Sequence, residues 1–290
     1  MRINHNISSM ITQGSLYKTN RELGKNLEKL STGLRINRAA DDAAGLGVSE
    51  NLRSQVKGTA QAMRNAQDGI AAITIAEGAA NEVSDILQRM RELAVQSSND
   101  SLTSTERGYT NQEFQALNSD IERVATVTNY NGMKLLSGSG ATRFGNADTA
   151  TTTGSVVWVD ANDVRGFDSI TITIDTLSTA TGVGSGIGTA NLVLTSQTSA
   201  VSAITTLDLA INSVNTMRSN MGAYVNRLEH AINNLTVSNT NQQSAESQIR
   251  DVDFAKETTE FTKNQILMQS GNAMLSQANS LPQSVLSLLK

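Results

Sequence analysis

Residues 71–97 read AAITIAEGAANEVSDILQRMRELAVQS, and their apolar side chains recur at steps of three and four. This spacing puts an apolar stripe along one face of an α-helix. No proline occurs from residue 42 to residue 98, so a single helix can continue through that range. Such a helix would be roughly 80 Å long. The stretch therefore predicts a rod of long helices. The stripe consists of Ile73, Ala76, Ala80, Val83, Leu87, Met90 and Ala94.

Helical spacing also marks both ends of the chain. Near the C-terminus, a heptad series with steps of four and three continues until Pro282 interrupts it, and residues 264–289 carry no charged side chain. The series consists of Leu267, Gly271, Met274, Ala278, Leu281, Val285 and Leu288. Because this helix has no charged face for water, we expect it to contact neighbouring subunits as well as the N-terminal helix. An intrachain helical hairpin alone is the alternative. The predicted contact residues are Ile3, Ile7, Leu23, Leu27, Leu30, Leu34, Leu267, Met274, Leu281, Val285 and Leu288.

The chain between these ends begins with a further predicted helix. Thr103 and Glu106 have capping-box spacing, which predicts a helix start, and Asn131-Gly132 is a turn signal beyond its end.

A segment of different character follows from residue 137. Ser, Thr and Gly dominate, and short apolar runs predict strands at 156–159, 170–174 and 192–194. Helical spacing then returns, pauses in the polar residues 238–247 and resumes at about residue 249.

The order of the elements is nearly palindromic. We predict a mainly α fold, a long antiparallel helical rod or coiled coil with both termini paired, plus a small central β-rich segment. The predicted terminal coiled-coil domain joins residues 1–42 to 250–290. The rod domain joins 43–136 to 200–249, and residues 137–199 form a short variable β-rich segment that completes the rod.

The composition excludes several classes of protein. The chain has one proline, no cysteine and two histidines, which excludes disulfide scaffolds, thiol enzymes and histidine-rich metal sites. A net charge of -4 provides no general attraction to nucleic acid. No run is apolar enough to span a membrane. We expect no catalytic residue, no metal and no cofactor.

Two acidic pairs are the nearest approach to an active site. The first pair could be the carboxylates of an active site with its arginine as a clamp, but we interpret it as part of a connector between the terminal helix and the rod, near a helix N-terminus where carboxylates interact favourably with the helix dipole. The second pair could be metal ligands, but we interpret it as charges near a helix start. The pairs are Asp41 and Asp42 near Arg35, and Asp251 and Asp253 near Arg250.

Several blocks of sequence, in order, resemble bacterial flagellin. The resemblance covers nearly all of residues 1–136 and 200–290. Arg38 departs from it, since a small residue is commoner there. The blocks are INHN at 3–6, LSTGLRIN at 30–37, ADDAAGL at 40–46, LQRMRELAVQ at 87–96 and IRDVDFAKE at 249–257.

The resemblance implies a structural subunit that self-assembles into the flagellar filament for motility. It implies export, unfolded, through the flagellar type III channel to an extracellular location. The implied partners are further copies of the chain, the flagellar cap, hook-filament junction proteins and an export chaperone. The middle segment is too short for the bulky outer domains of longer flagellins.

The resemblance also assigns a second role to the rod. Arg89, Leu93 and Glu113 match positions that contact the animal Toll-like flagellin receptor in flagellins that this receptor recognises. Arg89 and Leu93 are four residues apart and share a helix face. Contacts between rods in a filament are the alternative role for these three residues.

Two other functions stay open at this point. A hook-filament junction protein has similar ends and would not form long filaments alone. A coiled-coil signalling protein or adhesin could show the same heptads, although it would lack the paired terminal blocks.

Overall fold

The computed structural model describes residues 6–137, 144, 155–160, 168–177, 179 and 187–287. Its described part is mainly helical with two small sheets, which confirms the predicted fold class. The elements are α1 (Ile7–Thr32), α2 (Ala43–Ser97), α3 (Ser104–Val127), β1 (Asn129–Tyr130), β2 (Met133–Lys134), β3 (Ser155–Trp158), β4 (Ser169–Ile172), α4 (Gln197–Arg250) and α5 (Phe254–Ser287).

Residues at the boundaries explain where several helices begin and where α1 ends. The Asn6 side chain accepts a hydrogen bond from the Ser9 amide at 3.1 Å and caps α1. Thr103 and Glu106 form the predicted capping box at the start of α3, which satisfies amide groups that have no partner within the helix. Gly33 ends α1 with φ 73°, a left-handed conformation that favours glycine.

Both sheets are antiparallel two-stranded hairpins. β1 and β2 pair Asn129 with Lys134 and Tyr130 with Met133 across a two-residue turn. Asn131 has φ 49° and Gly132 has φ 79°, and positive φ at both positions is typical of the tight hairpin turn that Asn-Gly forms. β3 pairs with β4 in the register Ser155 to Ile172. The predicted strands at 156–159 and 170–174 are therefore confirmed with shifted bounds.

The strand predicted at 192–194 is wrong. Two side chains of α3 take up backbone groups that a partner strand would otherwise use. Gln115 Nε2 donates to the Leu192 carbonyl oxygen at 2.7 Å, and the Leu194 amide donates to Asn111 Oδ1 at 2.8 Å. The segment packs as an irregular connection with Leu194 fully buried.

The helix break predicted at 238–247 is also wrong. α4 continues to Arg250, and α5 begins at Phe254 rather than near residue 249. The polar stretch contains neither glycine nor proline, the two residues that are least favourable in a helix interior. α5 also continues through Pro282 to Ser287.

The chain divides into two compact units. One takes in the described residues of Met1–Val56 and Thr240–Lys290, and the other comprises the described residues of Lys57–Asn239. These boundaries fall within α2 and α4, whereas the sequence placed domain boundaries near helix ends at 42 and 250.

The Lys57–Asn239 unit contains an extensive apolar core. The predicted stripe of α2 is buried along its length, and Phe114 and Ile121 of α3 and Leu207 and Val214 of α4 are fully buried in the same core. Gly69 leaves room for a neighbour, since a Cβ there would lie 3.3 Å from Val157 Cγ2.

Candidate assembly surfaces

The two terminal helices lie antiparallel and in contact, as the sequence predicts. At one end Asn6 Nδ2 donates to the Ala278 carbonyl oxygen at 2.8 Å, and Ser9 Oγ donates to Asn279 Oδ1 at 2.8 Å. At the other end Lys29 Nζ lies 3.9 Å from Glu257 Oε1. Pairing one end of the chain with the other gives α1 and α5 a common surface.

That common surface carries several large apolar side chains that the described part of the chain leaves exposed. A shallow groove of about 300 Å³ on the pair is lined in part by Leu16, Tyr17 and Met268. Large apolar side chains on both helices remain exposed, although exposed apolar groups are unfavourable in water. They are Ile7, Met10, Ile11, Tyr17 and Leu27 on α1, and Phe254, Ile266, Leu267 and Met274 on α5.

The structure places most of the predicted assembly residues on this helix pair. Ile7 and Met274 are 55% and 61% exposed, and Leu27 and Leu267 are also exposed. The other leucines of the N-terminal seam, Leu23, Leu30 and Leu34, are half-buried. Leu281 and Val285 lie in α5, and the predicted contact residues Ile3 and Leu288 lie outside the described residues.

Met10 and Tyr17 continue the helical spacing of Ile7, and three further exposed apolar residues of the pair are not among the predicted contact residues. Ile11, Phe254 and Ile266 are all more than half exposed on the pair. Ile11 is four residues after Ile7, so helical spacing could have identified it. Phe254 and Ile266 stand outside the main heptad series, and no comparable signal marks them.

The connector between α1 and α2 is joined to the end of α4 by backbone hydrogen bonds. Leu34 and Asp251 form an isolated antiparallel bridge, in which the Arg35 amide donates to the Arg250 carbonyl oxygen at 2.7 Å. Arg35 Nη2 donates to the Ile249 carbonyl oxygen at 2.6 Å. These bonds hold together the two chain segments of the unit formed by Met1–Val56 and Thr240–Lys290.

The acidic pairs are structural, as predicted for three of their four members. Asp42 Oδ1 accepts from the Gly45 amide at the start of α2, and Asp253 Oδ1 accepts from the Ala255 amide at the start of α5. Asp41 Oδ2 accepts from the amides of Asn37 and Arg38, and the bond from Arg38 is the main reason that the pKa of Asp41 is lowered.

Asp251, the fourth member, differs from the prediction. It follows the end of α4, where its carboxylate accepts from Ser247 Oγ at 2.6 Å. It therefore does not mark a helix start.

The residues proposed for receptor contact occupy two different environments. Arg89 Nη2 donates to Glu113 Oε1 at 2.8 Å and Arg89 Nη1 donates to Glu92 Oε2 at 2.9 Å, all on the surface. The hydrogen bond with Glu113 is the main cause of the raised pKa of Arg89. Leu93 is only 2% exposed and belongs to the core, so it does not share an exposed patch with Arg89 in this chain.

Neither a metal cluster nor a membrane helix is found in the described part of the chain. No group of three or more His, Cys, Asp or Glu residues is arranged to hold an ion there. Likewise, none of the described helices is long and apolar enough to cross a membrane.

Comparison with known proteins finds two family models that match the chain. The Bacterial flagellin N-terminal helical region matches residues 3–141, and the Bacterial flagellin C-terminal helical region matches residues 204–289. The chain belongs to the bacterial flagellin family. It is 46% identical over 297 residues to Flagellin FlaB2 of Treponema pallidum (strain Nichols), with 100% of each chain covered. Flagellins are structural proteins of the filament, so this family member is not an enzyme.

Two further similarities extend the comparison. The chain is 44% identical over 290 residues to a flagellin of Halalkalibacterium halodurans, again with 100% of each chain covered. A structure described as a flagellar hook-associated protein from Vibrio parahaemolyticus aligns with a TM-score of 0.57 and 16% identity. That alignment covers 73% of this flagellin and 100% of the Vibrio chain, and it shows the fold alone.

Proposed function

We propose that this flagellin self-assembles into a flagellar filament through the paired helices α1 and α5. The observation that carries the proposal is the set of exposed apolar side chains on both helices, combined with the absence of charge in residues 264–289. Complete burial of one large apolar side chain contributes about 1.5–3 kcal/mol. Repeated contacts between identical subunits that do not close on themselves produce a helical fibre.

The route to the filament is part of the same proposal. The chain leaves the cell unfolded through the flagellar type III channel, escorted by an export chaperone, and joins an extracellular filament between the cap and the hook-filament junction proteins. The absence of cysteine supports this route, because no disulfide can crosslink a chain that must pass a narrow channel unfolded.

Seeded polymerisation tests the assembly proposal. We expect the purified chain to extend filament seeds into long regular tubes visible by electron microscopy. Deletion of residues 264–290 should abolish growth, and Leu267→Ser with Met274→Ser should reduce the sedimented fraction severalfold. Val127→Ser is a matched control, because Val127 is 60% exposed on α3 in the other unit. Normal filaments from the truncated chain would contradict the proposal.

The same experiment separates the filament subunit from a hook-filament junction protein. Identity of 44–46% over the full length to flagellins favours the filament subunit. A junction protein would give discrete particles and would not extend the seeds.

A second proposed role, recognition by the animal Toll-like flagellin receptor, rests on the exposed surface around Arg89. Arg89 and Glu113 have side chains 51% and 47% exposed, and they join α2 to α3 at the surface. We propose that the receptor contacts these two groups and that Leu93 supports their backbone from the core. Leu93→Ala would therefore act through packing.

A cell reporter for this receptor tests the second role. Arg89→Ala with Glu113→Ala should lower signalling by at least about tenfold, the change expected from losing hydrogen bonds to charged groups. Arg123→Ala with Asp120→Ala removes another exposed ion pair of α3 and should leave signalling unchanged. Equal signalling from all three proteins would remove the receptor role.

A further inference from the structure

The best-buried side chain of α1 is polar. Asn26 is 4% exposed and is the buried residue of that helix, whereas Leu27 is 54% exposed and Leu23 and Leu30 are half-buried. Burying an amide is costly unless its hydrogen bonds are satisfied, so an asparagine at this position requires a specific partner. In α1, therefore, a polar side chain is buried more completely than any leucine of the predicted apolar seam.

Two of the three hydrogen-bond partners of Asn26 come from α5. With its amide oriented to face them, Asn26 Nδ2 donates to Glu257 Oε1 and to the Glu22 carbonyl oxygen, both at 3.0 Å, and Asn26 Oδ1 accepts from Asn264 Nδ2 at 3.1 Å. Glu257 is itself only 7% exposed, and Lys29 Nζ lies 3.9 Å from its carboxylate. We call Asn26, Lys29, Glu257 and Asn264 the polar layer.

A second contact on the pair is specific to one position. Leu16 packs on Gly271, where a Cβ would lie only 2.7 Å from Leu16 Cδ2 and 3.1 Å from Leu16 Cγ. Gly271 is the single glycine of α5. A slip of one heptad would place Asn264 or Ala278 at this point, and both carry a Cβ.

We propose that the polar layer and the Leu16–Gly271 contact select the register in which α1 pairs with α5. Exposed and half-buried leucines that repeat every three or four residues tolerate a slip of one heptad. The same slip would bring Asn264 into the place of Glu257, or Glu257 into the place of Asn264, so Asn26 would face only one of its two α5 partners. It would also press Leu16 against a side chain. A single asparagine in a heptad seam sets register in coiled coils by the same mechanism, at some cost in stability.

The selected register has a consequence for assembly, and here the inference rests on the proposed function. The positions of the exposed apolar residues of α1 relative to those of α5 depend on how the two helices are aligned. A shifted pair would present a different pattern to the next subunit. The polar layer would therefore determine which surface the pair offers, while the apolar residues bind the neighbours.

Disulfide trapping tests the register directly, because the natural chain has no cysteine. Ser9→Cys with Asn279→Cys reports the native register, since these two side chains are in contact at 2.8 Å. Ser9→Cys with Asn272→Cys reports a slip of one heptad. Intrachain crosslinks are separated by electrophoresis from those between chains, in the sedimented and soluble fractions independently. We expect the native pair to exceed the slipped pair at least about tenfold.

Two variants and one control complete the test. Asn26→Leu and Gly271→Ala should each reduce the ratio of native to slipped crosslinks, Asn26→Leu by about tenfold. Asn20→Leu makes the same exchange as Asn26→Leu at an exposed position of α1 and should preserve the parent ratio. A parent ratio near one, or an unchanged ratio in both variants, would overturn the register proposal. Failure of the proposed function would instead appear as a parent chain that never sediments while its soluble fraction retains the native ratio.

Discussion

Single side chains determine where several of the helices begin. Asp42, Thr103 and Asp253 each accept a hydrogen bond from a backbone amide in the first turn of a helix. All three are predictable from the sequence, because a short polar side chain before an apolar periodic run satisfies amides that have no partner within the helix. Asn26 was not predictable in this way. Its importance comes from partners more than two hundred residues away, which no local pattern reveals.

The lowered pKa of Asp41 leads to a prediction about how the stability of the connector depends on pH. The Arg38 amide is the largest influence lowering the pKa of Asp41. Burial opposes it, while the Asn37 amide and the charges of Lys29 and Lys25 add to it. Because the folded-state pKa lies below the ordinary value of about 3.9, ionised Asp41 stabilises the connector above that pH, and this contribution is lost as the pH falls through the folded-state pKa.

Nuclear magnetic resonance measures this effect in the soluble chain. The Asp41 carboxyl carbon should titrate with a midpoint below its ordinary value, and hydrogen exchange of the Arg38 amide should accelerate over the same pH range. In Asp41→Asn the exchange of that amide should be faster at neutral pH and lack this acid transition. A midpoint at or above the ordinary value would contradict the prediction.

At the scale of elements, helices were more predictable than the places where they stop. The proline-free range that includes residues 71–97 was predicted as a helix and is helical as part of α2, because a periodic apolar stripe requires no distant information. The strand at 192–194 was predicted wrongly, since Gln115 and Asn111 bind its backbone in place of a strand. The break at 238–247 was wrong because polarity alone does not end a helix. Asn239 Nδ2, for example, donates to Thr59 Oγ1 at 2.7 Å from within α4.

The capping box of α3 supplies a prediction for one element. Thr103→Ala removes the hydroxyl that accepts from the Glu106 amide and should lower the free energy of unfolding by about 1 kcal/mol. Thr105→Ala is the matched control, because Thr105 is an exposed threonine in the first turn of α3. Thermal unfolding followed by circular dichroism measures both variants. Equal midpoints for the two would show that the cap contributes no stability.

At the scale of the whole chain, burial is unevenly divided between the two units. The Lys57–Asn239 unit contains the apolar core around Phe114, Leu87 and Leu207. In the other unit, α1 has Asn26 as its buried residue, and the uncharged part of α5 exposes Ile266, Leu267 and Met274. The low aromatic content and scarce charge of the sequence are consistent with this division. Few large aromatic side chains are present to fill a core between the terminal helices, and few charges replace their exposed apolar residues. The sequence predicted the pairing of the ends, but it could not show which apolar residues would stay uncovered.

Hydrogen exchange should reveal this division directly. Local opening costs little where few apolar groups are buried, so amides of α1 and of α5 up to residue 280 should exchange much faster in the soluble chain than those around Phe114. In filaments the α1 and α5 amides should become at least about a hundredfold slower, because neighbouring subunits then cover Ile7, Leu267 and Met274. Exchange read out by mass spectrometry on the same peptides from both states makes the comparison. If the terminal helices were already as protected in the soluble chain as the core of the other unit, their stability would not depend on neighbours. The exposed apolar surface would then need a different explanation.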